Sequence, residues 1–136
     1  MVQQKEIILN EFERGFHLIT NIINKNISDF NGNGLLHIFI KHTSAGLIIS
    51  ENADPSVRVD FENIMNKIIP ENEDYYTHIF EGPDDMPSHV KAGITGSSIS
   101  IPITNGRVNL GTWQGIYLCE FRNRGGRRKL ILSFYK

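Results

Sequence analysis

The sequence predicts an α+β fold with a largely antiparallel or mixed sheet, and the order of its segments carries that prediction. Strand-type segments open and close the chain, two strong helix starts fall in the middle, and a regular strand–helix–strand alternation is missing. A doubly wound, Rossmann-like sheet is therefore not expected. The 136 residues fit one domain, 1–136, and a domain of that size buries roughly two-thirds of its unfolded surface without disulfides or metals.

In chain order, residues 2–9 and 15–19 read as short strands. From Thr20, an expected N-cap, Ile22, Ile23, Ile27 and Phe30 follow helical spacing and end at "NGNG". "LLHIFIKH" carries branched and aromatic residues too densely for a half-exposed strand, so it reads as one buried on both faces, with "GLIIS" as a second. "HTSA" lies on the connection between them. Asp54 before Pro55 starts a helix whose expected inner face is Val57, Phe61, Ile64, Met65 and Ile68, up to Pro70. After the irregular acidic "ENEDYYTH", a second start at "DDMP" places Asp85 as N-cap and turns Val90 and Ile94 inward before Gly96. "SSISIPI" alternates with period two, and the Asn-Gly pair of "TNGR" suits a type I′ hairpin. "RVNLG", "QGIYLCEF" and "RRKLILSFY" complete the strands, with "NRGG" turning between the last two.

Composition excludes several classes. Mean hydropathy is −0.24, and the longest apolar runs fall far short of the ~20 residues a membrane helix needs. The opening "MVQQKEIILNEFERG" lacks a basic-then-apolar leader pattern, so a cytoplasmic address without membrane attachment is expected. Cys119 is the single cysteine, which rules out intrachain disulfides and thiolate-built zinc sites; it reads as a small core residue. The net charge of −1 is unevenly spread: residues 51–85 hold ten acids against Arg58 and Lys67, and residues 107–136 hold seven bases against Glu120. Two solvated faces, an anion-binding surface or a subunit contact would each explain the asymmetry. Nucleic acid is not an expected partner, because the basic third lacks an RNP-like aromatic pattern and the acidic middle repels phosphate backbones.

The chemistry concentrates in "EGPDDMPSHVK", residues 81–91. Asp85 ahead of Met86 and Pro87 has the chemistry of a helix start, yet the neighbouring Asp84, Glu81 and His89 exceed what capping requires. His42, His78 and His89 lie beside turns or helix starts with Glu51, Glu81, Asp84 and Asp85 near in sequence. Three imidazoles, or two with a carboxylate, would hold a metal and leave a position open; separate polar residues capping helices are the plainer alternative, and no HExxH-type signature decides it. His17 and His37 sit in strand patterns and read as satisfied, partly buried imidazoles. "HTSAG", "GITGSS" and "LGTWQG" offer amide and hydroxyl donors of the kind that hold phosphate, making Thr43, Ser44, Gly96, Ser97, Ser98 and Gln114 candidate substrate contacts, although each stretch is also an ordinary tight turn. Arg107, Arg122, Arg124, Arg127 and Arg128 are candidate anion contacts. Trp113 is a candidate stacking surface, with a core or interface role the simpler reading.

Three long segments, "HTSAGLIISENADPSVRVDFE", "HIFEGPDDMPSHVKAGITGSSISIPI" and "GRVNLGTWQGIYLCEFRNRGGRRK", together resemble the YjbQ-like family, often labelled secondary thiamine-phosphate synthases. The resemblance implies a β-sandwich or half-barrel with two or three short helices, assembled as a homotrimer. It also implies a metal or ligand site at His42, His78 and His89, with Glu51, Asp84, Asp85, Glu120 and Arg122 nearby. The reaction it implies joins a pyrimidine methylene diphosphate to a thiazole phosphate with release of pyrophosphate. Family members commonly finish with Gly-Glu, whereas this chain ends "LILSFYK", so no contact of that terminal carboxylate is carried over.

A mechanism follows as an expectation. A divalent cation on His42, His78 and His89 with Asp85 orients the diphosphate, Arg122 and the Gly96–Ser98 amides bind phosphate oxygens, and Glu51 orients or deprotonates. Three imidazoles favour zinc or another transition metal over magnesium. The expected partner is a phosphorylated small molecule or inorganic anion. The alternative is a non-catalytic anion- or metal-binding trimer whose histidines line a subunit interface.

Overall fold

The computed structural model describes residues 1–136 and stacks two antiparallel sheets and a helical layer. Strands β1 (Val2–Ile8), β2 (Gly15–Leu18), β3 (Gly34–Ile40), β4 (Ala45–Glu51), β5 (Ser98–Thr104), β6 (Arg107–Val108), β7 (Gln114–Glu120) and β8 (Lys129–Tyr135) are joined by helices α1 (Thr20–Asn26), α2 (Pro55–Ile68) and α3 (Asp85–Thr95). The larger sheet runs β1-β8-β3-β5-β6 and the smaller β2-β7-β4. Every strand pair is antiparallel. The result is the expected half-barrel, with α1 closing the core and α2 and α3 against the outer face of the smaller sheet.

Alternation sets the layers. Leu36, Ile38 and Ile40 of β3, Leu130, Leu132 and Phe134 of β8 and Ile101 and Ile103 of β5 meet Leu47, Ile116 and Leu118 of the smaller sheet in the main core, closed at one end by Ile23 of α1. The opposite face of the smaller sheet sends Phe16, Tyr117 and Cys119 to Phe121 and Ala92, with Phe61 and Met65 of α2 packed on them. Burial pushes the Cys119 thiol far above its ordinary pKa, which makes it the inert core residue its neighbours suggest.

Three expectations about faces are corrected. The strands packed on both sides are β7, the centre of the middle layer, and β4, as read for "GLIIS", with Leu47 and Ile49 in one cluster and Ile48 against the other, whereas β3 keeps Leu35 and Phe39 exposed, at 43% and 39% of full accessibility. On α2, Ile64 and Ile68 point to solvent, since an outer-layer helix touches the sheet only along the Phe61–Met65 stripe. On α3, Val90 and Ile94 are exposed, and the inward face is Asp85, Ser88, Lys91 and Ala92. Close approach explains this: a Cβ on Gly46 of β4 would collide with the Thr95 hydroxyl and lie 3.0 Å from the Gly96 carbonyl. A helix that near a strand admits small residues and turns its large apolar ones outward.

The caps also differ from expectation in detail. Asp54 caps α2 as read, accepting from the Ser56 N–H at 2.9 Å. Thr20 instead lies within α1 behind Ile19, and its hydroxyl accepts from the Ile116 N–H at 2.9 Å, tying α1 to β7. The Asn-Gly turn has φ of 51° at Asn105 and 78° at Gly106, as a type I′ hairpin requires.

At the end of the main core sits a buried ion pair. Glu120, fully buried, accepts from Arg128 Nε at 2.7 Å and Nη2 at 2.5 Å, and Arg128 Nη2 also reaches the Ser44 hydroxyl at 2.9 Å. Removing one partner strands the other's charge in the core, so Arg128→Met is expected to lower unfolding free energy by about 3–5 kcal/mol. Urea titration checks this; a loss below about 1 kcal/mol, the ceiling for an ordinary surface pair, would show the carboxylate to be solvated after all.

Candidate metal centre

The start of α3 holds the site. Asp84 occupies the N-cap position with no side-chain cap, and Asp85 is the first helical residue, which corrects the expectation that Asp85 caps. Both carboxylates are instead directed at the β7–β8 connection. Asp84 Oδ2 accepts from Arg122 Nε and from the Asn123 N–H, each at 2.9 Å. Asp85 Oδ1 accepts from Arg122 Nη1 at 2.5 Å, and Arg122 Nη2 reaches the Glu81 carbonyl at 3.0 Å.

The other oxygen of Asp85 faces two imidazoles. His78 Nε2 lies 2.7 Å and His89 Nε2 3.2 Å from Oδ2, and ligand atoms of the three residues all fall within 4.8 Å of one another. His89 reaches this position because it follows Asp85 by four residues, one helical turn on the same face. His78 comes from the irregular stretch between α2 and α3. His89 Nδ1 is 2.9 Å from the Thr43 carbonyl. A carbonyl only accepts, so Nδ1 carries a hydrogen, and the Nε2 of His89 facing the carboxylate then holds either a second proton or a lone pair. Positive charge, a proton or a cation, is needed between those two acceptors.

The electrostatics agree. Burial raises the Asp85 pKa, but the hydrogen bond from His78 and the Arg122 guanidinium, joined by His89 when its ring is protonated, outweigh it and hold the group below the ordinary carboxylate range. Asp84 is likewise lowered, with burial overcome by the Asn123 N–H and Arg122. Two imidazole nitrogens and a carboxylate oxygen fit zinc or another transition metal better than magnesium. Thr43 orienting His89, and Arg122 holding Oδ1 so that Oδ2 faces inward, are the outer contacts such a centre uses.

The family described as UPF0047 protein YjbQ-like matches residues 5–136. The chain belongs to the YjbQ/UPF0047 family. It is 49% identical over 135 residues to the UPF0047 protein YjbQ of Salmonella typhimurium, covering 98% of this chain and 97% of that one. A YjbQ/UPF0047 protein of Clostridium acetobutylicum, described as uncharacterized, superposes with TM-score 0.82 at 37% identity, over 96% of this chain and 99% of that one. A conserved hypothetical protein of Thermus thermophilus gives TM-score 0.82 at 29% identity, over 95% and 97%.

In this YjbQ chain the motif residues expected at one site are divided among several places. His78, Asp85 and His89 converge, with Asp84 and Arg122 directly behind. His42 stands outside that group: its Nε2 accepts from the Lys129 N–H at 2.8 Å, and with Thr43, His89, Gly96 and Ser97 it lines a cavity of about 580 Å³. The Gly96 N–H is used by the Ala92 carbonyl at the end of α3, and Ser98 is exposed at the start of β5. Ser44 and Glu120 belong to the buried Arg128 pair. Arg122 has every guanidinium nitrogen engaged by Asp84, Asp85 and Glu81, so it positions carboxylates and is not free for phosphate.

Glu51 and Gln114 pair at the far end of the smaller sheet, about 20 Å along β4 from Ala45 at strand rise. Glu51 accepts from the Ala53 N–H at 3.0 Å and Gln114 Oε1 from the Gly111 N–H at 2.8 Å, so both shape turns. The sequence reading missed Asn123, whose backbone carries the interaction, and a cavity of about 190 Å³ behind His78, lined by Asn72, Tyr76 and Met86 among others. Neither has a side-chain signature to find.

Because both aspartates ionise more readily folded than unfolded, their stabilisation is complete above the unfolded carboxyl range, roughly pH 4, and is lost as pH falls through their lower folded values. Melting followed by circular dichroism should therefore drop below about pH 4. In Arg122→Ala, burial acts with less opposition and the drop should begin at higher pH. Parallel profiles for the two proteins would mean that Arg122 does not hold these carboxylates.

Proposed function

We propose that this YjbQ/UPF0047 chain is a metal-dependent enzyme whose divalent cation sits on His78, Asp85 and His89 and polarises a phosphoryl or leaving-group oxygen of a phosphorylated small molecule. The single observation that carries the reading is the arrangement of His89: with Nδ1–H committed to Thr43, its Nε2 and the Asp85 carboxylate face each other at 3.2 Å and share a cation naturally. With three protein ligands, positions remain for substrate or water, the pattern of a catalytic rather than a closed structural site. The transfer implied by the resemblance, in which pyrophosphate leaves a pyrimidine methylene diphosphate as a thiazole phosphate attacks, is kept as the proposed reaction, and a cytoplasmic setting as part of the proposal. The cation would neutralise the departing charge; Arg122 would act only by fixing Asp85.

The test is metal analysis after exchange into zinc, followed by rescue of a strain lacking its main thiamine-phosphate synthase. Near one zinc per chain is expected in wild type, with loss of at least tenfold in affinity in His78→Ala or His89→Ala and no rescue by either variant. Unchanged zinc content in both variants would sink the metal site, whereas rescue by metal-free variants would detach the activity from it.

The working unit is proposed to be a homotrimer. What supports assembly is the outward face of the larger sheet, where Leu35, Phe39, Ile8 and Tyr135 stay 39–50% exposed and Leu35 and Tyr135 are register neighbours. Sedimentation is expected to give about three times the chain mass of 15.5 kDa, with Phe39→Glu reducing it. A wild-type monomer at micromolar concentration would overturn this.

A further inference from the structure

We propose that His42 is a neutral hydrogen-bond donor to the substrate rather than a metal ligand, and that the cavity it lines takes an uncharged, lone-pair-bearing part of the substrate molecule. The inference rests on the metal-dependent reading above and names what lies beside the cation.

The tautomer is decided by the backbone. The Lys129 N–H donates to His42 Nε2 at 2.8 Å, so that nitrogen presents its lone pair and the ring hydrogen is on Nδ1. Nδ1 makes no hydrogen bond within the chain, and His42 lines the cavity of about 580 Å³. Burial lowers its pKa, with Arg128, Lys129 and Lys41 acting the same way and Glu120 against them, so the ring stays neutral near pH 7. A neutral imidazole with a committed Nε2 has one thing to offer a ligand, an N–H aimed at an acceptor; it polarises a carbonyl or ring nitrogen without bringing charge.

The walls define the class. Ala45, Ala92, Gly93 and Gly96 leave room and apolar surface, Thr43 and Ser97 add hydroxyls, and no lysine or arginine lines the cavity. The cavity also borders the last turns of α3, whose C-terminal dipole end disfavours an anion. A phosphate belongs by the cation at the N-terminal end of α3; the organic group it is attached to belongs here. His89 lines the cavity and faces Asp85, so one molecule can reach both.

The test uses the whole labelled chain and two probes, 2-methylpyrimidin-4-amine as an uncharged acceptor and inorganic phosphate. Imidazole ¹H–¹⁵N correlations should show His42 protonated on Nδ1 at neutral pH, and zinc should shift His78 and His89 but not His42. The pyrimidine should shift His42 and the Ala92 and Gly93 amides, while phosphate without zinc should not. His42→Phe should weaken the pyrimidine about tenfold, the upper end of what one hydrogen bond is worth, at unchanged zinc content. His42→Gln, which keeps a side-chain N–H, should restore part of the binding. A hydrogen on Nε2, a zinc-induced shift of His42 like that of the other two, or phosphate displacing the pyrimidine would overturn the proposal. Failure of zinc to bind with the pyrimidine result intact would sink the metal reading and leave this one standing.

Discussion

Arg122 closing on Asp84 and Asp85 is the constraint on which the rest of the site depends. Two nearly buried carboxylates at adjacent positions repel each other and resist desolvation, and a planar guanidinium with parallel donors is the side chain able to hold both at once. Because Arg122 stands on the β7–β8 connection, the clamp fixes the first turn of α3 relative to the smaller sheet. His89, one turn further along, inherits that position. The same contact leaves one oxygen of Asp85 directed at His78 and His89.

The route of α3 beyond its first turn is set by apolar packing of an unusual kind. Gly46 lets the helix lie almost on β4, and Ser88 and Ala92 are what fits underneath. Lys91 is buried on the same side, its ammonium 2.6 Å from Asn66 Oδ1 and 5.9 Å from the Phe121 ring centroid. Burial chiefly, then the neighbouring Arg14, lowers its pKa. α3 is thus held by polar contacts at both its first turn and its middle, and its large apolar residues take no part in the core.

Two buried ion pairs of similar appearance serve different ends. Glu120 and Arg128, with Ser44, are sealed at the edge of the main core and join the smaller sheet to the start of β8. Arg122 with its two aspartates is partly open, and its Asp85 turns its second oxygen to the histidines. The motifs "HTSA", "DDMP-H" and "EFR" therefore divide between holding the fold and forming the site, often within one motif: Ser44 is structural while His42 and Thr43 border the cavity.

The sequence by itself determined the α+β class, a largely antiparallel or mixed sheet with its Asn-Gly hairpin, the Asp54-Pro55 helix start and the candidate cluster around residues 81–91, because alternation, capping and turn chemistry act over a few residues. The i, i+4 relation of Asp85 and His89 is of the same local kind. Only the tertiary structure decided that His78 joins them and His42 does not, that Glu51 and Gln114 lie at the other end of the sheet, and that Val90 and Ile94 face outward. Those outcomes depend on strand order and on how closely a helix approaches a strand, and both are settled by contacts between residues tens of positions apart, such as Gly46 with Thr95 and Asp84 with Arg122. A hydrogen bond from a backbone N–H, as at Lys129 and Asn123, leaves no mark in the residue identities at all, and it is such bonds that set the role of His42 and the charge of Asp84.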